Sequence, residues 1–347
     1  MNSLSISFEG AETFVLIGSS DLMVEAAEIL DSHDREVVLI IAPRYANRRL
    51  PLSDKSMEEE ADRIGIPYHY VNDINIPKER AFLYDKPGKL ALCFGPAWIF
   101  KRETRDGFEF GMLNYNAIPQ PRYVGGAHHS WQIMNGNLEG GCVVQEIGPE
   151  IDHGDIIHAA YYKFPKTVRT PLDYVRYRNG ESLKFVRKFL AKLLGGEVFS
   201  KTNYEKAAQE KLYFPRLLTE FHAYVDWRWV AADVAAFCCA FAEPLNNAMT
   251  YLRGKRVTLR DVELVETCDR FHPFCYGLIV RNTSEGILVA ANGGLVKIAA
   301  IGCPEDALTI HTVREGDRLY TPLEVLDRAT RTAVSIEPDG SLFPVTY

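Results

Sequence analysis

Hydrophobic positions fall into two textures along the chain. Up to about residue 200, continuous apolar runs alternate with amphipathic stretches; beyond it, shorter runs are split by Gly or Asn-Gly turns. The run TFVLIGSS (Thr13 to Ser20) has the pattern of a strand buried on both faces and ending in a turn. DLMVEAAEILDSH then spaces Leu22, Val24, Ala26, Ala27, Ile29 and Leu30 as a helix does, with Asp21 available as its cap. EVVLIIAP (Glu36 to Pro43) is a second buried strand, so the opening is β-α-β and predicts a right-handed crossover in a parallel sheet. SMEEEADRIGIP predicts a helix stopped by Gly65 and Pro67. YHYV predicts a short strand, and KLALCFGPAWIF a buried one over Leu90 to Phe94, ending at Gly95-Pro96. SWQIMNG predicts a short helix closed by Gly136, and CVVQEIG and DIIHAAYYKF predict two strands. The longest helical signal places Leu183, Val186, Phe189, Leu190 and Leu193 on one face and stops at Gly195-Gly196.

The second texture predicts a different architecture. WRWVAADVAAFCCAFAEP is a short helix, and RVTLRDVELVE, YGLIVRNT, GILVAANGG and LVKIAAIG are β segments that fit a small antiparallel barrel. The expected fold is α/β: a Rossmann-like, mostly parallel sheet over 1–200, a polar linker over 201–216, and a C-terminal antiparallel β-barrel over 217–347.

Composition narrows the function classes. No apolar run reaches the length of a membrane-spanning helix, and the N-terminus lacks the basic and apolar regions of a secretory signal. The seven cysteines show no CxxC spacing, so they fit small core residues in a reducing cytoplasm and no metal site is expected. The formal net charge of −7 gives no basic surplus for a nucleic-acid face. The G-x-S-x-G elbow, P-loop, HExxH and GxGxxG motifs are all absent. Gly18-Ser19-Ser20-Asp21 is a strand-to-helix turn whose amides could hold an anion.

The chemistry-bearing pair of segments is LNYNAIPQPRYVGG (Leu113 to Gly126) and EIGPEIDHGDII. Asn114 and Asn116, two apart on an extended strand, point to one side. Asp152 and Asp155 lie in a Gly-containing turn that can reach the same sheet edge, where α/β proteins bind ligands. Taken alone, these residues also fit turn-capping amides and a carboxylate bound to local backbone.

As a set, the motifs resemble the folate-dependent formyltransferases, a family that includes the glycinamide ribonucleotide and methionyl-tRNA enzymes. The family pattern runs Asn-x-His-Pro-Ser, Leu-Pro-x-Tyr-Arg-Gly, Trp-x-Ile ending Asn-Gly, Gly-x-Thr, then Asp-x-Gly-Asp-Ile. Here the matching residues are Asn114-Tyr-Asn116, Pro121-Arg-Tyr123-Val-Gly125, Trp131-Gln-Ile133-Met-Asn135-Gly136, Gly141-Cys-Val and Asp152-His-Gly154-Asp155-Ile156, with no gap. The likeness covers residues 13–200, and the tail resembles the C-terminal barrel of the methionyl-tRNA enzyme.

The resemblance implies transfer of a formyl group from 10-formyltetrahydrofolate to a primary amine, with Asn114 as oxyanion donor and Asp152 as the carboxylate. It implies a donor cleft walled by Gly95, Pro96, Ala97, Trp98, Ile99 and Phe100 on one side and by Gly148, Pro149, Glu150 and Ile151 on the other. The amine is expected to enter from Gly18, Ser19, Ser20 and Asp21. One departure stands out: the family's catalytic imidazole is Asn116, which can donate a hydrogen bond but cannot titrate near neutral pH. His128, His129 and His153 are candidate substitute bases, and a water on Asp152 is another route. The acceptor is expected to be a small-molecule amine rather than tRNA, because 15 Lys and Arg face 18 Asp and Glu from residue 206 onward. Two other readings compete: a folate-binding protein without turnover, and a hydrolase or acyl transferase of altered chemistry on the same scaffold.

Overall fold

The computed structural model describes residues 5–303, 309–337 and 341–347. The first half is built on β1 (Thr13–Gly18), α1 (Asp21–Asp31), β2 (Glu36–Ile41), α2 (Met57–Ile64), β3 (Tyr68–Tyr70), β4 (Lys89–Phe94), β5 (Met112–Asn116), α3 (His128–Met134), β6 (Glu139–Glu146), β7 (Ile156–Lys163) and α4 (Pro171–Leu194). The seven strands form one sheet in the order β3-β2-β1-β4-β5-β6-β7. Pairing is parallel from β3 to β5 and antiparallel from β5 to β7. The mostly parallel sheet expected from the apolar runs is therefore present.

Alternation along the strands explains why they read as continuous apolar runs. Phe14 and Leu16 pack on one face with Leu30, Phe185 and Phe189 from α1 and α4. Val15 and Ile17 pack on the other with Val38, Ile40, Phe100 and Phe108. Ser20, not Asp21, caps α1, its hydroxyl accepting from Met23 N at 3.2 Å. Asp21 is the first helical residue, and its carboxylate accepts from Leu52 N and Ser53 N, both at 3.1 Å. Its acidity suits either position at a helix N-terminus, and only the tertiary contact separates them. Gly18 is required where it stands: its φ is +144°, and a Cβ there would lie 2.3 Å from Phe94 O.

The polar stretch after α4 is woven into the first half by its backbone. Phe199–Ser200 pairs antiparallel with Ser5–Ile6, and Leu212–Phe214 pairs in parallel with Tyr123–Gly125. Composition reported its solvent-facing side chains (Leu212 and Tyr213 are exposed), whereas its place is set by main-chain hydrogen bonds.

The second half carries a six-stranded antiparallel sheet covered by α5 (Ala231–Ala240). Its edges meet through a bridge between Leu278 and Arg318, which curls the sheet into the expected small barrel. The two halves share one apolar cluster, since Ile133, Phe164 and Tyr174 pack among Val234, Cys238 and Leu259. Across that junction Ser130 Oγ donates to Ala240 O at 2.9 Å. A terminal hairpin, Thr332–Ile336 with Leu342–Thr346, follows the barrel. Cys93, Cys142 and Cys238 are buried, Cys268 is exposed, the other three lie between, and all seven are free thiols. Among the described residues no helix is long and apolar enough to cross a membrane, and no cluster of His, Cys, Asp and Glu fits a metal.

Candidate active site

A cavity of about 500 Å³ opens beyond the carboxyl ends of β4 and β5, the expected ligand position in an open α/β sheet. One wall is Gly95 to Phe100, leaving β4; the other is Gly148 to Ile151, between β6 and β7. All ten residues assigned to the donor cleft line it. Their exposures divide the work: Ala97 and Phe100 are buried supports, whereas Ile99 is 40% and Ile151 60% exposed as apolar lips. Trp98 is held by a hydrogen bond from Nε1 to Asn72 O at 2.8 Å.

Asn114, Asn116 and Asp152 meet on the cavity floor. Strand alternation sends Tyr115 to the opposite face, where its hydroxyl donates to Ser182 Oγ on α4 at 2.6 Å. Asn116 Nδ2 donates to Asp152 Oδ1 at 3.4 Å, and Gln145 Nε2 donates to the same oxygen at 3.2 Å. Gln145 stands directly across from Asn114 in the β5–β6 ladder. Asp152 occupies the left-handed region at φ 58°, a conformation aspartate tolerates better than most residues and one that turns it back over β6. Burial pushes the Asp152 carboxyl above its usual range, against the lowering effect of the Asn116 hydrogen bond. Asn114 Oδ1 is buried without a partner.

Asp155 has a structural task. Its Oδ1 accepts from Tyr204 N at 3.1 Å and from Asn203 Nδ2 at 3.3 Å, pinning the segment that follows α4. Gly154 presses against β6: a Cβ there would sit 1.6 Å from Glu146 O. Gly154→Ala is therefore expected to push the Asp152 turn outward, lowering the Tm by about 5 °C or more. Thermal melts compared with activity would check this, and a variant of parental Tm would refute it.

The three histidines do not line the cavity. His128 packs against Tyr123, and burial lowers its pKa to about 4. His129 lies between Phe164 and Tyr174 and contacts Gln132 Oε1 at 3.0 Å; burial, then Arg178, lower its pKa to about 3. His153 turns away from Asp152, with Nδ1 bonded to Ile151 O at 2.7 Å and Nε2 3.0 Å from Lys211 Nζ. Gly18, Ser19, Ser20 and Asp21 are also absent from the lining. Ser20 caps α1 and Asp21 holds the loop at Leu52, while Ser19 Oγ is buried without a partner.

The sequence reading missed several lining residues. Arg44 and Tyr45 follow β2, and Arg44 donates to Ala97 O at 2.6 Å, bracing the first wall. Their place just past a parallel strand was a usable signal. Gln145 sat within a predicted strand, but only the register places it opposite Asn114. Arg216, Ile336, Glu337 and Leu342 reach the rim from the second half of the chain, for which no local pattern exists.

Residues 218–318 match the family model described as the formyl transferase C-terminal domain. A methionyl-tRNA formyltransferase of Borrelia duttonii is 24% identical over 290 residues, 82% of this chain and 90% of that protein. The chain is thus similar to formyltransferases over most of its length, and residues 218–318 match their C-terminal domain. The family's fold recurs in WlaRD, a sugar 3N-formyl transferase solved in the presence of dTDP and 5-N-formyl-THF. It matches with a TM-score of 0.63 at 13% identity, over 83% of this chain and 97% of that one. An N-formyltransferase from Helicobacter canadensis in complex with folinic acid and dTDP-3-aminofucose matches with a TM-score of 0.56 at 16% identity. That match covers 83% of this chain and 98% of the other.

Proposed function

We propose that the chain transfers a formyl group from 10-formyltetrahydrofolate to the primary amine of a small molecule. The observation that carries this reading is the convergence of Asn114, Asn116 and Asp152 on the floor of one cavity walled by the ten cleft residues. The cavity suits such a donor: its volume lies in the small-molecule range, Ile99 and Ile151 give it apolar lips, and amides and a carboxylate line it beside them. The donor supplies the formyl carbon. In this reading Asn114 donates an N–H bond to the carbonyl oxygen as it gains charge. Asp152, held by Asn116 and Gln145, takes the proton released by the amine. The cytoplasm, with its folate pool and reduced thiols, suits this activity and the seven free cysteines.

For the acceptor, the second half of the chain has no basic surplus, which favours a small amine. A second reading, an aminoacyl-tRNA acceptor, is favoured by the names of the sequence relatives. Calorimetry with 5-formyltetrahydrofolate, followed by turnover on small amines and on aminoacyl-tRNA, tests both. The expected result is saturable binding, with formylation of a small amine. Binding without any turnover would make the chain a folate-binding protein, and no binding at all would point to a different donor.

A further inference from the structure

Two glutamines that the sequence pattern did not single out are buried. Gln120 is fully buried and Gln145 is 2% exposed. Gln145 Nε2 donates to Asp152 Oδ1, the oxygen that also accepts from Asn116. Gln120, in the loop after β5, has both of its amide atoms buried without partners. Among the described residues Oδ2 of Asp152 accepts no hydrogen bond. Gln145 Oε1 and Asn114 Oδ1, on residues that face each other across the β5–β6 ladder, are also buried without partners. Buried polar atoms left open in this number are uncommon in a part that only supports the fold.

We infer that Gln145 is a positioning residue of the transfer site: with Asn116 it holds Oδ1 of Asp152 and leaves Oδ2 to take the proton of the amine. This rests on the formyl-transfer reading. Gln145 Oε1 accepts one N–H bond from the amine and Asp152 Oδ2 accepts the other, which aims the nitrogen lone pair. The nitrogen lone pair then forms the new C–N bond to the formyl carbon, and the carbonyl electron pair moves to oxygen. One amine proton passes to Asp152 Oδ2. When the donor's own C–N bond breaks, its electron pair stays on the donor nitrogen, which takes the proton back from Asp152. The carboxylate thus does alone what a carboxylate and an imidazole share elsewhere.

The test uses the intact protein with 13C-carboxyl aspartate and 15N side-chain amides, the Asp152 signal being assigned by its loss in Asp152→Asn. In the parent protein the Gln145 and Asn116 amide signals are expected to titrate at the Asp152 midpoint. Gln145→Met removes one donor to the carboxylate and is expected to raise that midpoint by about 1 pH unit, carrying the acid limb of the pH–rate profile with it. Amide signals indifferent to Asp152, or an unmoved midpoint in the folded variant, would overturn the inference. The parent titration needs no substitution, so a Gln145→Met protein that fails to fold does not spare the idea. If no amine is ever formylated, the formyl-transfer reading falls by itself, and the midpoints still decide whether the two amides hold Asp152.

Discussion

Asp152→Asn is expected to lower formyl transfer by about 10²–10⁴-fold and, at the same time, to raise the melting temperature at pH 7. The first effect follows from removing the one titratable side chain on the cavity floor that both Asn116 and Gln145 hold in place. The second follows from its surroundings. Burial raises the Asp152 pKa above 3.8, so the folded state binds this proton more tightly than the unfolded chain does. Its contribution to stability is greatest when the carboxyl is protonated. That contribution is lost as pH rises from the unfolded value through the raised folded value, so at neutral pH the ionised group weighs against folding. Asparagine keeps an oxygen where Oδ1 receives both amide donors and carries no charge. Calorimetric scans across pH, paired with a turnover assay, would check both halves. An inactive variant that is also less stable at pH 7 would mean the fold favours the ionised group, contrary to the assignment.

Asn116→His is expected to raise turnover by up to about 10²-fold and to move the acid limb of the pH–rate profile toward the imidazole range. The imidazole Nδ1 branches from Cγ where the amide Nδ2 does now. It can therefore donate to Asp152 while Nε2 extends into the cavity as the proton acceptor, the orientation that a carboxylate imposes on a catalytic histidine. With a group of pKa near the working pH doing the transfer, Asp152 returns to an orienting role. Steady-state kinetics across pH would show it. A folded variant slower than the parent would mean that the amide at 116 takes part in a different mechanism.

Much of this arrangement was legible because its signals are local. The buried strands, the glycine stops of the helices and the cavity-lining runs at Gly95 and Gly148 each lie within one run of sequence. The site's closer geometry was not local. Gln145 matters because of a cross-strand register that sets it opposite Asn114. His128, His129 and His153 stood close to the motif in sequence. Apolar neighbours draw the first two into packing, and the Ile151 carbonyl and Lys211 turn the third away. The 201–216 stretch looked like a tether because composition records side-chain polarity and not the main-chain pairing that seats it.

That pairing has a mechanical result. Leu212–Phe214 lies along Tyr123–Gly125, Trp131 Nε1 reaches Pro215 O, and Arg216 enters the cavity rim directly afterwards. One stretch of backbone thus seats the loop that follows Asn116 and carries a side chain of the cavity rim, so a single pairing fixes both.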